Sequence, residues 1–71
     1  SQMIYYTDDS RRRVSRFDAE QMVCETYDFT LGRWVFDTEV FGTQSGDLWL
    51  DEIGQEEAEA IIRKRDKALH R

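Results

Sequence analysis

Over the first half of the chain, apolar and polar positions alternate in short stretches; over the last third they switch to helical spacing. Met3-Ile4-Tyr5-Tyr6-Thr7 reads as a strand, because β-branched and aromatic side chains fit a pleated, half-buried surface. Asp8-Asp9-Ser10 reads as a turn, and Arg13-Val14-Ser15-Arg16-Phe17 as the returning strand. Thr30-Leu31-Gly32 breaks the pattern between Tyr27-Asp28 and Arg33-Trp34, which are expected to be the arms of a hairpin. Residues 37–50 read as a connection containing Gly42 and Gly46. Within it, Leu48-Trp49-Leu50 is an apolar run that suits either an edge strand or a strapping loop.

Residues 18–27 admit two readings. Asp18 can cap a helix, with Gln21 at the capping-box position and Phe17 and Met22 at the staple positions. Ala19, Met22, Val23 and Tyr27 also fit one helical face. Against this, Met22-Val23-Cys24 and Thr26-Tyr27 are contiguous with a strand-like run, and the strand reading is preferred.

The C-terminal segment is a helix by every local signal. Gly54 stands at the N-cap and Gln55-Glu56-Glu57 form the first turn, with Glu57 placed to reach back to the cap N–H. Ile53 and Ala58 occupy staple positions, and Ile61, Ile62 and Leu69 make one apolar stripe. Glu59 and Arg63 are spaced as a favourable ion pair. Acids open this helix and bases close it, which complements its dipole. The predicted fold is α+β: a small antiparallel β-meander of three or four strands with the C-terminal helix packed on one face. It forms one domain over residues 3–69, and residues from Asp66 onward are expected to fray. Ser1 and Gln2, ahead of Met3, read as a cloning scar.

At 71 residues the chain is near the size where a single core needs reinforcement. One cysteine, Cys24, and one histidine, His70, leave no internal disulfide and too few ligands for a tetrahedral zinc site. Packing must therefore carry stability. Nine aromatic residues before residue 50 supply the material, with Trp34 and Trp49 both expected to be buried. A 35% charged composition and the lack of a long apolar run argue against a membrane protein. No leader-like segment is legible, and the expected location is the cytoplasm.

The charge is sorted along the chain. Residues 1–17 carry +2, residues 18–59 carry −11 and residues 60–71 carry +4, giving the net −5. Between Asp18 and Glu59 the one basic residue is Arg33. A surface of one sign selects partners by repulsion as well as attraction.

Part of the chain resembles a known kind of protein. Tyr27-Asp28, Gly32-Arg33-Trp34-Val35 and the run from Ile53 to Ile62 resemble small uncharacterised bacterial and phage proteins with a β-meander and one C-terminal helix. In those proteins the helix commonly opens with Ile-Ser; here Gly54 replaces the serine, so a side-chain cap is lost. The resemblance covers roughly half the chain and implies a fold but no activity.

Candidate chemistry is sparse. A nucleophile needs an adjacent base, whereas Cys24 lies in an apolar stretch and His70 near the terminus. Cys24 reads as a small buried hydrophobe. The glycines fit no phosphate-binding motif, so no enzyme activity or cofactor is implied. Asp47, Asp51 and Glu52 have the chemistry to hold a hard cation near the helix start, but read better as a solvated acidic rim, and no metal is assigned. Arg11, Arg12, Arg13 and Arg16 are split between two faces if they lie in a strand, and Asp8 and Asp9 partly neutralise them. Direct nucleic-acid binding is disfavoured by the overall acidity.

The leading expectation is a non-catalytic protein-interaction domain, with homodimerisation as one form of it. The candidate contact residues are Asp37, Glu39, Asp47, Trp49, Asp51 and Glu52. The alternative is a phage-type inhibitor whose carboxylates imitate a phosphate array and occupy a host nucleic-acid-processing or defence protein.

Overall fold

The computed structural model of the chain describes residues 2–70. Five antiparallel strands form one sheet: β1 (Ile4–Thr7), β2 (Val14–Asp18), β3 (Val23–Asp28), β4 (Arg33–Phe36) and β5 (Asp51–Ile53). Their order across the sheet is β4-β3-β2-β1-β5, so β5 adds an edge beside β1. Helix α2 (Gln55–Leu69) follows β5. The fold is therefore α+β, with one strand beyond the expected meander.

Three aspartates begin the three hairpin turns, and each turn includes a residue with positive φ. Asp8 Oδ1 accepts from the N–H groups of Arg12 and Arg13 at 2.9 and 3.2 Å. Asp18 Oδ1 accepts from Glu20 and Gln21 at 2.9 and 3.3 Å, and Asp28 Oδ1 from Thr30 and Leu31 at 2.8 and 2.9 Å. The left-handed positions are Arg11 (φ 57), Met22 (φ 55) and Gly32 (φ 70). Only the third is glycine, the residue that adopts this region without steric cost. Asp18 thus closes a turn and caps no helix, and residues from Val23 to Asp28 form a strand as preferred. The expected arms of the last hairpin are in register, Tyr27 with Trp34 and Asp28 with Arg33.

Strand alternation gives the sheet two apolar faces. On one, Tyr5 and Val14 meet Ala58 and Ile61 of α2, with Trp34, Tyr27 and Ile53 packed around them. Trp34 is half-buried, with its ring edge-on to Tyr5 and Tyr27 at centroid distances of 6.1 and 5.4 Å. On the other, Tyr6, Phe17 and Cys24 surround Val40. Burial leaves the Cys24 thiol harder to ionise than usual.

This second face is covered by a segment expected to be a plain connection. A 3-10 turn (Thr38–Phe41) runs into the short helix α1 (Gly42–Ser45). Val40 is fully buried and Phe41 stands edge-on to Phe17, 5.7 Å between centroids. Gly42 is needed at the closing turn: a Cβ there would lie 2.8 Å from the Leu48 Cβ. Leu48-Trp49-Leu50 forms no strand; the edge strand begins at Asp51.

Helix α2 starts at Gly54 as expected, without a side-chain cap. Its predicted side-chain pairs are rearranged. The Glu57 carboxylate bonds Arg11 across the structure instead of reaching back to the cap. Glu59 accepts from Gln55 at 3.2 Å and forms no pair with Arg63. Leu69, expected in the buried stripe, is 51% exposed. The helix extends beyond Asp66 to Leu69, where the His70 N–H bonds the Asp66 carbonyl at 3.0 Å and His70 Nε2 lies 2.9 Å from the Phe29 carbonyl. No helix among the described residues is long and apolar enough to cross a membrane.

Candidate functional site

The six candidate contact residues fall into two groups. Asp37 and Glu39 lie at the start of the 3-10 turn, against β2 and β3. Asp51 and Glu52 lie on β5, three strand spacings from β3, which is about 14 Å across the sheet. Asp47 and Trp49 lie in the loop leading to β5.

The first group is committed to the fold. Arg13 Nη1 donates to Glu39 Oε1 at 2.7 Å, and Nη2 donates to Asp37 Oδ2 at 3.1 Å. Arg13 Nε donates to the Ser15 hydroxyl at 3.0 Å. Ser15 and Thr26 share a 2.7 Å bond, and the Thr26 hydroxyl donates to Asp37 Oδ2 at 2.8 Å. That last donation fixes Ser15 as donor to Thr26. The result is a closed ring running Arg13, Ser15, Thr26, Asp37 and back to Arg13. Asp37 Oδ1 also accepts from the Glu39 N–H, and the Asp37 N–H bonds the Cys24 carbonyl at 2.7 Å. A four-residue 3-10 turn has little stability of its own. The ring and the buried Val40 fasten it to the sheet.

Other acids of the middle segment are also engaged. Arg16 donates through Nε and Nη2 to Glu25 Oε1 at 2.8 and 2.6 Å, and its guanidinium lies 4.0 Å from the Trp34 ring centre. Arg11, Arg12 and Arg13 lie in the connection ahead of β2, so the expected division by strand faces, Arg11 and Arg13 on one and Arg12 on the other, does not apply.

The second group has a different character. Trp49 is 86% exposed, contrary to the expectation of burial. The chain leaves α1 through Gly46 (φ 88), and Leu48 and Leu50 face inward while Trp49 stays outside. Asp47, Asp51 and Glu52 around it are exposed. Asp47 accepts from the Ser45 hydroxyl at 3.0 Å; Asp51 and Glu52 form no ion pair among the described residues. Strand parity sends Asp51 to the helix-covered face and Glu52 to the other, so they flank the edge without converging. Among the described residues no group of three or more His, Cys, Asp or Glu is gathered to hold a metal ion.

This edge combines an exposed indole, exposed carboxylates of one sign and a strand, β5, with β1 on one side only. An indole offers large contact area and an N–H donor, and is enriched where binding energy concentrates. The acidic flanks of Trp49 were the sequence signal; its exposure was not legible there. Phe36, on the opposite edge strand, is also 68% exposed but was not singled out by the sequence. No protein-family model, curated protein or solved structure matches the chain.

Proposed function

We propose that this chain is a non-catalytic protein-interaction domain that binds through the Asp47–Glu52 edge. The observation that carries the reading is the 86% exposure of Trp49 between acidic neighbours. Leaving so large an apolar side chain in water is unfavourable, and burying it on a partner is worth about 2–3 kcal/mol. The surface suits an apolar pocket rimmed by lysine or arginine, with the rim charges mainly guiding approach.

The nucleic-acid mimic draws less support. Asp37 and Glu39 pair with Arg13, which breaks the carboxylate array and leaves Asp47, Asp51 and Glu52 as the candidates with no ion pair among the described residues.

The test is affinity capture with wild type and Trp49→Ala, at low and high salt. A partner retained by wild type and lost by the variant, with both proteins equally folded, supports the edge. Light scattering on the same pair detects a homodimer, which Trp49→Ala would dissociate. Identical capture and identical mass for both proteins would remove the proposal. A partner released by salt and displaced by DNA or RNA would instead favour the mimic.

A further inference from the structure

A cleft of about 360 Å³ lies between the first hairpin turn and the C-terminal half of α2. Ile61 and Leu69 give it an apolar lining, and Arg11, Arg12, Lys64 and Arg65 surround it with positive charge. Four cations meet here in a chain of net charge −5.

Among the described residues, one of the four is ion-paired and three are not. Arg13 and Arg16 are held by carboxylates, and Arg11 by Glu57. Arg12, Lys64 and Arg65 form no ion pair among the described residues. Arg65 is held in place by packing: its guanidinium lies 5.2 Å from the Phe29 ring centre, and its buried Nε has no hydrogen-bond acceptor. Asp9 and Asp66 neighbour these residues in sequence but do not line the cleft. Like charges gathered in a small concave space repel one another and raise the local potential for an anion. A fixed guanidinium binds an oxyanion with less ordering cost than a mobile one. The exposed Leu69 at the same place offers contact to an apolar group.

We infer that this cleft binds a small organic anion: a phosphate or carboxylate group attached to an apolar body. Arg12, Lys64 and Arg65 hold the charged group, and Ile61 and Leu69 contact the body. The volume lies at the low end of small-ligand pockets and is too small for a folded partner. The cleft is separate from the Trp49 edge in residues and opposite to it in sign.

Phenyl phosphate is the probe, titrated into the full chain and followed by backbone amide NMR. Saturable shifts confined to residues 10–12 and 61–69 are expected. Inorganic phosphate, which lacks the apolar body, should bind at least about tenfold more weakly. The double variant Arg12→Gln/Lys64→Gln, at exposed positions, should weaken phenyl phosphate at least about tenfold with an unchanged unfolding midpoint. Leu69→Ser should weaken phenyl phosphate and leave inorganic phosphate unaffected. Phosphatidylglycerol vesicles form the second arm. Sedimentation with vesicles that phenyl phosphate inhibits supports the cleft and identifies the anion's source as a lipid headgroup. Saturable phenyl phosphate binding without sedimentation supports the cleft and points to a free metabolite. Equal affinity for both phosphates, shifts spread over all basic residues, or sedimentation without phenyl phosphate binding would overturn the inference.

Discussion

Asp37 and Glu39 sit against the middle of the sheet, while Asp47, Asp51 and Glu52 surround its β5 edge; both groups come from the same acidic stretch. Both acids of the first pair with Arg13, 24 and 26 residues away in sequence, and Asp37 also closes a ring with Ser15 and Thr26. The second faces water beside an exposed tryptophan. The same carboxylate chemistry therefore stands in two different settings. A partly buried carboxylate in a hydrogen-bonded ring, as Asp37 is, is costly to lose, because its partners stay behind unsatisfied. Exposed carboxylates contribute little to stability and remain available for recognition. The charge sorting that stands out in the sequence is thus largely a property of the fold, and its unexplained remainder shrinks to the β5 edge.

The largest expected effect is at Asp37. Replacing it with alanine opens the ring, leaves Arg13 and Thr26 short of an acceptor and frees the 3-10 turn. Urea unfolding should show a loss of about 2–3 kcal/mol. A loss no larger than that of a surface variant would mean the ring is not what fastens this segment.

A smaller effect is expected in the hairpins, where acids also serve the backbone. Asp28→Ala removes the acceptor for Thr30 and Leu31 N–H groups in an exposed turn and should cost about 1 kcal/mol in thermal or urea unfolding. Met22→Gly acts in the opposite sense. It relieves a left-handed backbone at an exposed position and should stabilise by about 0.5–1 kcal/mol.

Asp8 adds a pH dependence. Burial works against its ionised form, but the N–H groups of Arg13 and Arg12 and the Ser10 hydroxyl outweigh it and hold the carboxyl below its ordinary value. The folded state thus favours the charged form. Its contribution is complete above the ordinary aspartate range, about pH 4, and is lost as pH falls through the lower folded value. The stability difference between wild type and Asp8→Asn should shrink on acidification from about pH 6 to about pH 3. A difference that grew over this interval would contradict the assignment.

Much of the fold was legible because its signals are local. The Tyr27–Asp28 and Arg33–Trp34 hairpin depends on a four-residue turn, and the α2 start on residues within one helical turn of Gly54. The layer over the second face was not legible. Val40 and Phe41 are too few to show a period, and their burial depends on Phe17 and Cys24, far earlier in sequence. For the same reason the Arg13 ring was invisible, since nothing local links Asp37 to residue 13. Trp49 was misplaced because hydrophobicity alone argued for burial. The turn at Gly46 and the inward-facing Leu48 and Leu50 decide otherwise.

The smallest expected effect completes the comparison and tests it most directly: urea unfolding of Asp37→Asn beside the triple variant Asp47→Asn/Asp51→Asn/Glu52→Gln. The single substitution should lose about 1.5–3 kcal/mol and the triple one should change by no more than about 0.5 kcal/mol. Equal losses, or a larger loss in the triple variant, would contradict the division of this acidic stretch into a half tied to the fold and a half left facing water.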